Sequence, residues 1–159
     1  MLRGMQTFPT PEDPLGNFAI SIFRINGALL RNGDRITKSL NQSSARWHVL
    51  GQANFRPQTV AQIARNMGQS RQSVQRIADA LAVDELVLFV DNSYDKRAKI
   101  LHVTAKGKAV ISEINVLQEA WSLEILHKLD PTKLAWMSKQ LDGIALALEQ
   151  QETVNRREY

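Results

Sequence analysis

The sequence predicts a mainly α-helical fold: a winged helix-turn-helix with a two-stranded β wing, set between long N- and C-terminal helices. Three observations lead there. Two short helical patterns, over residues 59–67 and 70–81, meet at Gly68. Just downstream, two apolar, β-prone runs, residues 86–90 and 99–103, flank a polar turn. Outside this block, apolar residues recur at helical spacing over most of the remaining chain.

Residues 1–16 carry prolines at positions 9, 11 and 14, which predicts an extended or flexible arm. A helix is predicted from about Asn17, a candidate N-cap, to Leu40. Phe18, Ile22, Ile25, Leu29, Ile36 and Leu40 share one face, while Ile20, Phe23 and Leu30 lie off it. A helix that is apolar on more than one face often has a second packing partner, another chain included. Ser43 or Ser44 can cap a short helix through Trp47, Val49 and Leu50.

Thr59 and Gln62 stand at capping-box spacing before the buried stripe Val60, Ile63, Ala64 and Met67. Gly68 supplies the left-handed residue that ends this helix. Ser70 caps the next helix, which buries Val74, Ile77 and Leu81. Leu86 to Val90 reads as a strand, Asp91-Asn92-Ser93 as a turn, and Lys99 to Val103 as the returning strand. Thr104 then caps a helix of about 25 residues, with Val110, Ile114, Leu117, Trp121 and Ile125 on its inner face. Asp130-Pro131 reads as an N-cap followed by Pro at the first helical position. The last helix carries Leu134, Met137, Leu141, Ile144 and Leu148, a 3.5-residue repeat suited to packing along another helix.

The domain organisation that follows is an arm (1–16), an N-terminal helix (17–42), a winged helix-turn-helix (43–106), C-terminal helices (107–150) and a tail (151–159).

The 159 residues, 43% of them hydrophobic, suffice for a folded core. With no cysteine, disulfides, thiolate zinc sites and thiol redox sensing are excluded. No signal peptide or membrane-length apolar run is read, and a reduced, cytoplasmic setting fits. The net charge of +4 is unevenly distributed. Residues 1–55 hold six Lys/Arg against three Asp/Glu, residues 56–108 nine against five, and residues 109–159 five against eight. A polyanion would meet the front and centre of the chain, unless the asymmetry is ordinary surface scatter.

The helix beginning at Ser70 has the chemistry of a groove reader. Outward positions include Arg71, Gln72, Ser73, Gln75, Arg76 and Asp79, and residues 69–76 contain no acid. Arg can take guanine O6 and N7 together, and Gln can pair with adenine. Lys96, Arg97 and Lys99 cluster at the hairpin tip, where a cation can enter a narrow minor groove. Asp95 is expected to act internally, accepting hydrogen bonds from Arg97 or from turn amides. A chance polar helix face and an ordinary solvated turn are the bland alternatives. The two features in this order and spacing weigh against both.

In these motifs the chain resembles the MarR family of winged-helix transcriptional regulators, over roughly residues 17–150. Gln62-Ile63-Ala64-Arg65-Asn66-Met67-Gly68 is similar to the first helix of the family's helix-turn-helix, and Ser70-Arg71-Gln72-Ser73-Val74-Gln75-Arg76-Ile77 to its recognition helix. Asp95-Lys96-Arg97-Ala98-Lys99 resembles the Asp-Arg-Arg wing signature, and Val103-Thr104-Ala105-Lys106-Gly107 the Leu-Thr-Glu-Lys-Gly lead into the next helix. The resemblance implies a homodimer held by the N- and C-terminal helices. It implies recognition helices in successive major grooves of a pseudo-palindromic operator in double-stranded DNA, wings in the flanking minor grooves, and a repressor's release by a small aromatic or anionic effector. It assigns DNA contact to Ser70, Arg71, Gln72, Ser73, Gln75 and Arg76, and to Asp95, Lys96, Arg97 and Lys99.

The chain departs from the family pattern in three places, one being the absence of cysteine, which rules out peroxide sensing through thiol oxidation. Asp84-Glu85-Leu86-Val87 replaces the usual Arg-Gly-Leu-Val. Either Glu85 is left-handed, at a cost of roughly 1 kcal/mol relative to Gly, or the linker geometry differs. Lys96 stands where Arg is usual, keeping charge but losing bidentate geometry.

Other chemistry finds little footing. His48, His102 and His127 are widely spaced, so no metal site or cofactor is read, and no Gly-rich phosphate loop or acid–base pair points to an enzyme. Trp47, Trp121 and Trp136 suit a core or an interface. Trp47 also lies where the resemblance places an effector pocket, with Arg46 as an anion partner. The competing function is a winged-helix module that docks an acidic protein instead of DNA.

Overall fold

The computed structural model describes residues 12–93, 95 and 97–155. Most of the predicted arm, Lys96 of the wing, and residues 156–159 of the tail lie outside the described residues. Two compact units divide in sequence between Leu117 and Gln118.

Helix α1 runs Pro14–Thr37, three residues earlier than the sequence suggests. The start is set by Asp13, whose carboxylate accepts a hydrogen bond from the Gly16 amide at 2.8 Å, with Pro14 at the first position. Asn17 is therefore inside the first turn and not the cap, and residues 14–16 are helical, not part of an arm. At its far end α1 tightens into a 3-10 turn, Lys38–Leu40, which stops at left-handed Asn41 (φ 53°). Helix α2, Ser44–Phe55, is capped by Ser43. The α1–α2 junction is close: the Asp34 carboxylate accepts from the Ser44 amide at 2.7 Å.

Strand β1, Gln58–Thr59, follows, and the sequence pattern did not distinguish it from a helix cap. Thr59 serves both elements. Its hydroxyl caps α3, Val60–Asn66, in the predicted capping box with Gln62, while its backbone pairs with β3. Gly68, at φ 60°, closes α3: its amide reaches the Arg65 carbonyl and the next amide, of Gln69, reaches Ala64. Ser70 caps α4, Arg71–Val83.

The end of α4 repeats the α3 geometry with an unusual residue. Glu85 adopts φ 61°, its amide reaches the Ala82 carbonyl, and the Leu86 amide reaches Leu81. Helix-terminating geometry of this kind normally falls to glycine. The chain thus keeps the linker geometry and carries the strain.

Strands β2, Val87–Val90, and β3, Ile100–Val103, form the antiparallel wing with Val87 opposite Val103 and Val90 opposite Ile100. With β1 the sheet has three strands in the order β1-β3-β2. The core of the first unit is where these elements converge. Leu50 of α2, Ile63 of α3, Val74 and Leu81 of α4, and Leu101 of β3 are fully buried. Each such side chain contributes roughly 1.5–3 kcal/mol through burial. Ile77, predicted in the buried stripe of α4, is only partly buried, and Ala78 takes the inner place.

Helix α5, Ala105–Leu126, opens on Thr104, whose hydroxyl accepts from the Gly107 amide at 3.0 Å. Gly107, Ile111 and Ile114 are its buried residues; Ile114 is buried as predicted, whereas Ile111 takes the inner place expected of Val110, which is half-buried. Leu117, also predicted there, is exposed. In the second unit Asp130 caps α6, Pro131–Asn155, through the Thr132 and Lys133 amides. Along its predicted stripe Met137, Leu141 and Leu148 are exposed, while Leu134 and Ile144 are half-buried. No helix among the described residues is long and apolar enough to cross a membrane.

Candidate nucleic-acid interface

The site is built on α4. Burial of Val74, Ala78 and Leu81 fixes the rotation of the helix about its axis and turns the remaining positions outward. Ser70, Arg71, Gln72, Ser73 and Arg76 are exposed, and Gln75 is half-buried. The Ser70 oxygen accepts from the Ser73 amide at 3.1 Å, so this residue anchors the helix start while its hydroxyl proton stays available to donate. Arg71, Gln72, Gln75 and Arg76 line one open patch.

The other edge of the same helix faces the wing. Arg71, Gln75 and Asp79, spaced by one helical turn, border a groove of about 580 Å³ whose opposite wall includes Asp95, Arg97 and Lys99. The structure thus brings residues of α4 and of the wing to one space. Thr59, Ala61 and Phe89 also line it, and sequence reasoning did not place them there. Only the β1–β3 pairing reveals that the start of α3 lies beside the wing.

Asp95 organises the wing tip. Its carboxylate accepts from the Arg97 amide at 2.9 Å, and its carbonyl accepts from the Ala98 amide at 3.2 Å. The sequence offered Arg97 or turn amides as partners. The contacts seen are to backbone amides. Asp95, Arg97 and Lys99 are all exposed. Neither Arg71, Arg76, Arg97 nor Lys99 forms an ion pair with another described residue. Three of these cations border the groove and Arg76 lies on the adjoining patch, which makes a surface suited to a polyanion.

Asp79 is the exception within this wall. Its carboxylate accepts from the Gln75 amide nitrogen at 2.8 Å. The spacing of four residues was the available signal, since Gln and Asp one turn apart on a helix are in reach of each other.

The second predicted site is differently occupied. Arg46 of α2 is ion-paired with Asp84 at the end of α4, and its Nε donates to Gln42 Oε1 at 2.8 Å. Its side chain is only 19% exposed, so this pairing ties α2 to the end of α4. Trp47 packs beside His48, with ring centroids 5.7 Å apart. Among the described residues, no group of His, Asp and Glu is placed to hold a metal.

A helix-turn-helix whose second helix presents Arg and Gln outward, beside a β hairpin that projects cations along the same groove, defines a winged helix-turn-helix protein. Comparison with known proteins narrows the class. No family model matches the chain. An uncharacterised protein of Mycobacterium tuberculosis, Rv2011c, is 28% identical over 138 residues, covering 87% of this chain and 96% of that protein. A MarR-family transcriptional regulator from Rhodococcus sp. RHA1 superposes with a TM-score of 0.75 at 17% identity, over 84% of this chain and 96% of the other. CouR from Rhodococcus jostii RHA1, solved bound to p-coumaroyl-CoA, superposes with a TM-score of 0.73 at 18% identity, over 84% and 95%. The chain therefore has the MarR-type winged-helix fold.

Proposed function

We propose that this chain is a dimeric, sequence-specific DNA-binding transcriptional regulator, a repressor relieved by a small effector. The groove shared by α4 and the wing carries the reading, because Arg71, Arg97 and Lys99 border one space on one subunit. In the proposed complex α4 enters the major groove and the wing reaches the adjacent minor groove. Gln72, Gln75 and Arg76 read base edges, while Lys and Arg contacts to phosphate supply much of the affinity. Two subunits of a dimer address half-sites about one helical turn apart.

The exposed apolar residues support the dimer. Phe23, Ile25 and Leu29 on α1, and Met137, Leu141 and Leu148 on α6, are exposed within a single chain. Leaving such apolar side chains in water forfeits the burial that paired helices would gain. The N- and C-terminal helices are accordingly the proposed dimerisation elements.

The test is electrophoretic retardation. Mixed-sequence DNA should be retarded at low salt, and retardation should weaken steeply as salt rises. Selection from a random oligonucleotide pool should then return a pseudo-palindrome. No retardation at low salt would replace this reading with a winged-helix module that binds an acidic protein.

Effector control takes its motivation from CouR, which was solved with p-coumaroyl-CoA. Arg46 and Trp47 are the proposed contacts. Because Arg46 is held by Asp84, an anionic effector would compete with that carboxylate. Calorimetric titration with small aromatic acids should show weaker binding to Trp47→Ala than to wild type. Equal binding would remove Trp47 from the site.

A further inference from the structure

We propose that Asp79 is a positioning residue that makes Gln75 read its base pair in one direction only. The inference rests on the DNA-binding reading above and deepens it. Gln75 is the α4 side chain common to the outer patch and the wing groove, together with Arg71. Its amide nitrogen lies 2.8 Å from Asp79 Oδ1. An ionised carboxylate can only accept hydrogen bonds, so the donor end of the amide must face Asp79. The acceptor end, Oε1, is thereby turned the other way, and no described residue donates to it.

This matters because a glutamine amide is nearly symmetric in shape but opposite in polarity at its two ends. A free glutamine can rotate its amide and present donor and acceptor in either order. At the two central positions of its major-groove edge A·T presents a donor and then an acceptor, adenine N6 and thymine O4, and T·A presents them reversed. A glutamine free to turn accommodates both. One held by Asp79 accommodates the order that matches its fixed polarity. The hold also reduces the rotamer freedom lost when the complex forms.

Asp79 is exposed and is otherwise an odd residue for this wall, a negative charge in a groove bordered by Arg71, Arg97 and Lys99. It would repel a phosphate, which weakens total affinity. A role in setting base preference accounts for its presence.

The experiment is selection from a random oligonucleotide pool, followed by competition binding on single-base-pair variants of the selected operator. Wild type, Gln75→Ala, Asp79→Ala, Asp79→Glu and the double variant Gln75→Ala/Asp79→Ala are compared, with circular dichroism to show each is folded. Wild type should prefer one base pair at one position of each half-site by roughly three- to tenfold, the discrimination carried by about one hydrogen bond. Gln75→Ala and Asp79→Ala should each flatten that same position, and the double variant should match Gln75→Ala. Asp79→Glu, which restores an acceptor, should recover part of the preference. Asp79→Ala should also bind as tightly as wild type or more tightly overall. An unchanged ranking in Asp79→Ala, or a change at a position that Gln75→Ala leaves alone, overturns the inference while the DNA-binding reading stands. A wild-type protein that enriches no sequence overturns both.

Discussion

Replacing Gly107 with alanine tests how closely the wing and α5 approach each other. A Cβ added at Gly107 would lie 2.1 Å from the Leu86 carbonyl oxygen and 2.8 Å from Val103 Cγ1, where ordinary contact begins at 3.4 Å. The carbonyl would have to retreat by about 1.3 Å, the difference between 3.4 and 2.1 Å. It is poorly placed to do so. Leu86 O accepts from the Thr104 amide at 3.1 Å, and the Leu86 side chain is buried, while the Thr104 hydroxyl donates chiefly to the neighbouring Glu85 carbonyl at 2.7 Å. Overpacking of this kind costs about 1–3 kcal/mol. Loss of the Thr104 amide bond would add about 0.5–1.5 kcal/mol. Alanine returns about 1 kcal/mol through its higher helix propensity. The expected net loss is about 2 kcal/mol, which for a chain of this size lowers the melting temperature by about 4–8 °C. Thermal and urea unfolding followed by circular dichroism, at matched protein concentration because the stability of the proposed dimer would depend on it, measures this. Gly51→Ala in α2 is the control. Nothing lies within 4 Å of the position that a Cβ would take there, so the same exchange should raise stability by about 0.5–1 kcal/mol. A Gly107→Ala protein as stable as wild type would refute the close approach.

Further predictions concern the strained linker and the proposed interface. Glu85→Gly should stabilise the protein by about 1 kcal/mol, because it relieves the left-handed backbone at φ 61°. The Lys106 contact it gives up, at 3.4 Å between exposed side chains, adds little. A raised urea midpoint with an unchanged slope checks this. Arg97→Ala should leave the unfolding transition in place and weaken DNA binding, reducing the salt slope by about one phosphate contact. Unchanged affinity in a gel-shift titration would count against the wing assignment. Arg76→Ala should cost about 1–3 kcal/mol and relax selectivity at one operator position. A uniform loss on every sequence would make Arg76 a phosphate contact instead.

Features that depend on a few neighbouring residues were legible from the chain. The Thr59–Gln62 capping box, left-handed Gly68, the Ser70 cap and the Asp130-Pro131 helix start all appear where their residue types put them. Misreadings arose where two local signals competed or where a partner lay far away. At the start of α1, Asp13-Pro14 outcompeted Asn17 because a carboxylate cap and a pre-set proline act together. Strand β1 is too short to carry an alternating pattern, and its partner, β3, lies some forty residues on. The inner face of α5 is decided by the core it meets, which is why Ile111 is buried ahead of Val110.

Residue order by itself determined the sequence of helices, the wing, the cationic bias of the centre and the side-chain types on α4. Those follow from caps, turns and periodicity, forces that act over a few residues. Tertiary structure decided which groups meet: Arg71 across a groove from Arg97 and Lys99, Arg46 on Asp84, and Gly107 against Leu86. These encounters join segments separated by as many as 38 residues, and burial of the shared core is what brings them together.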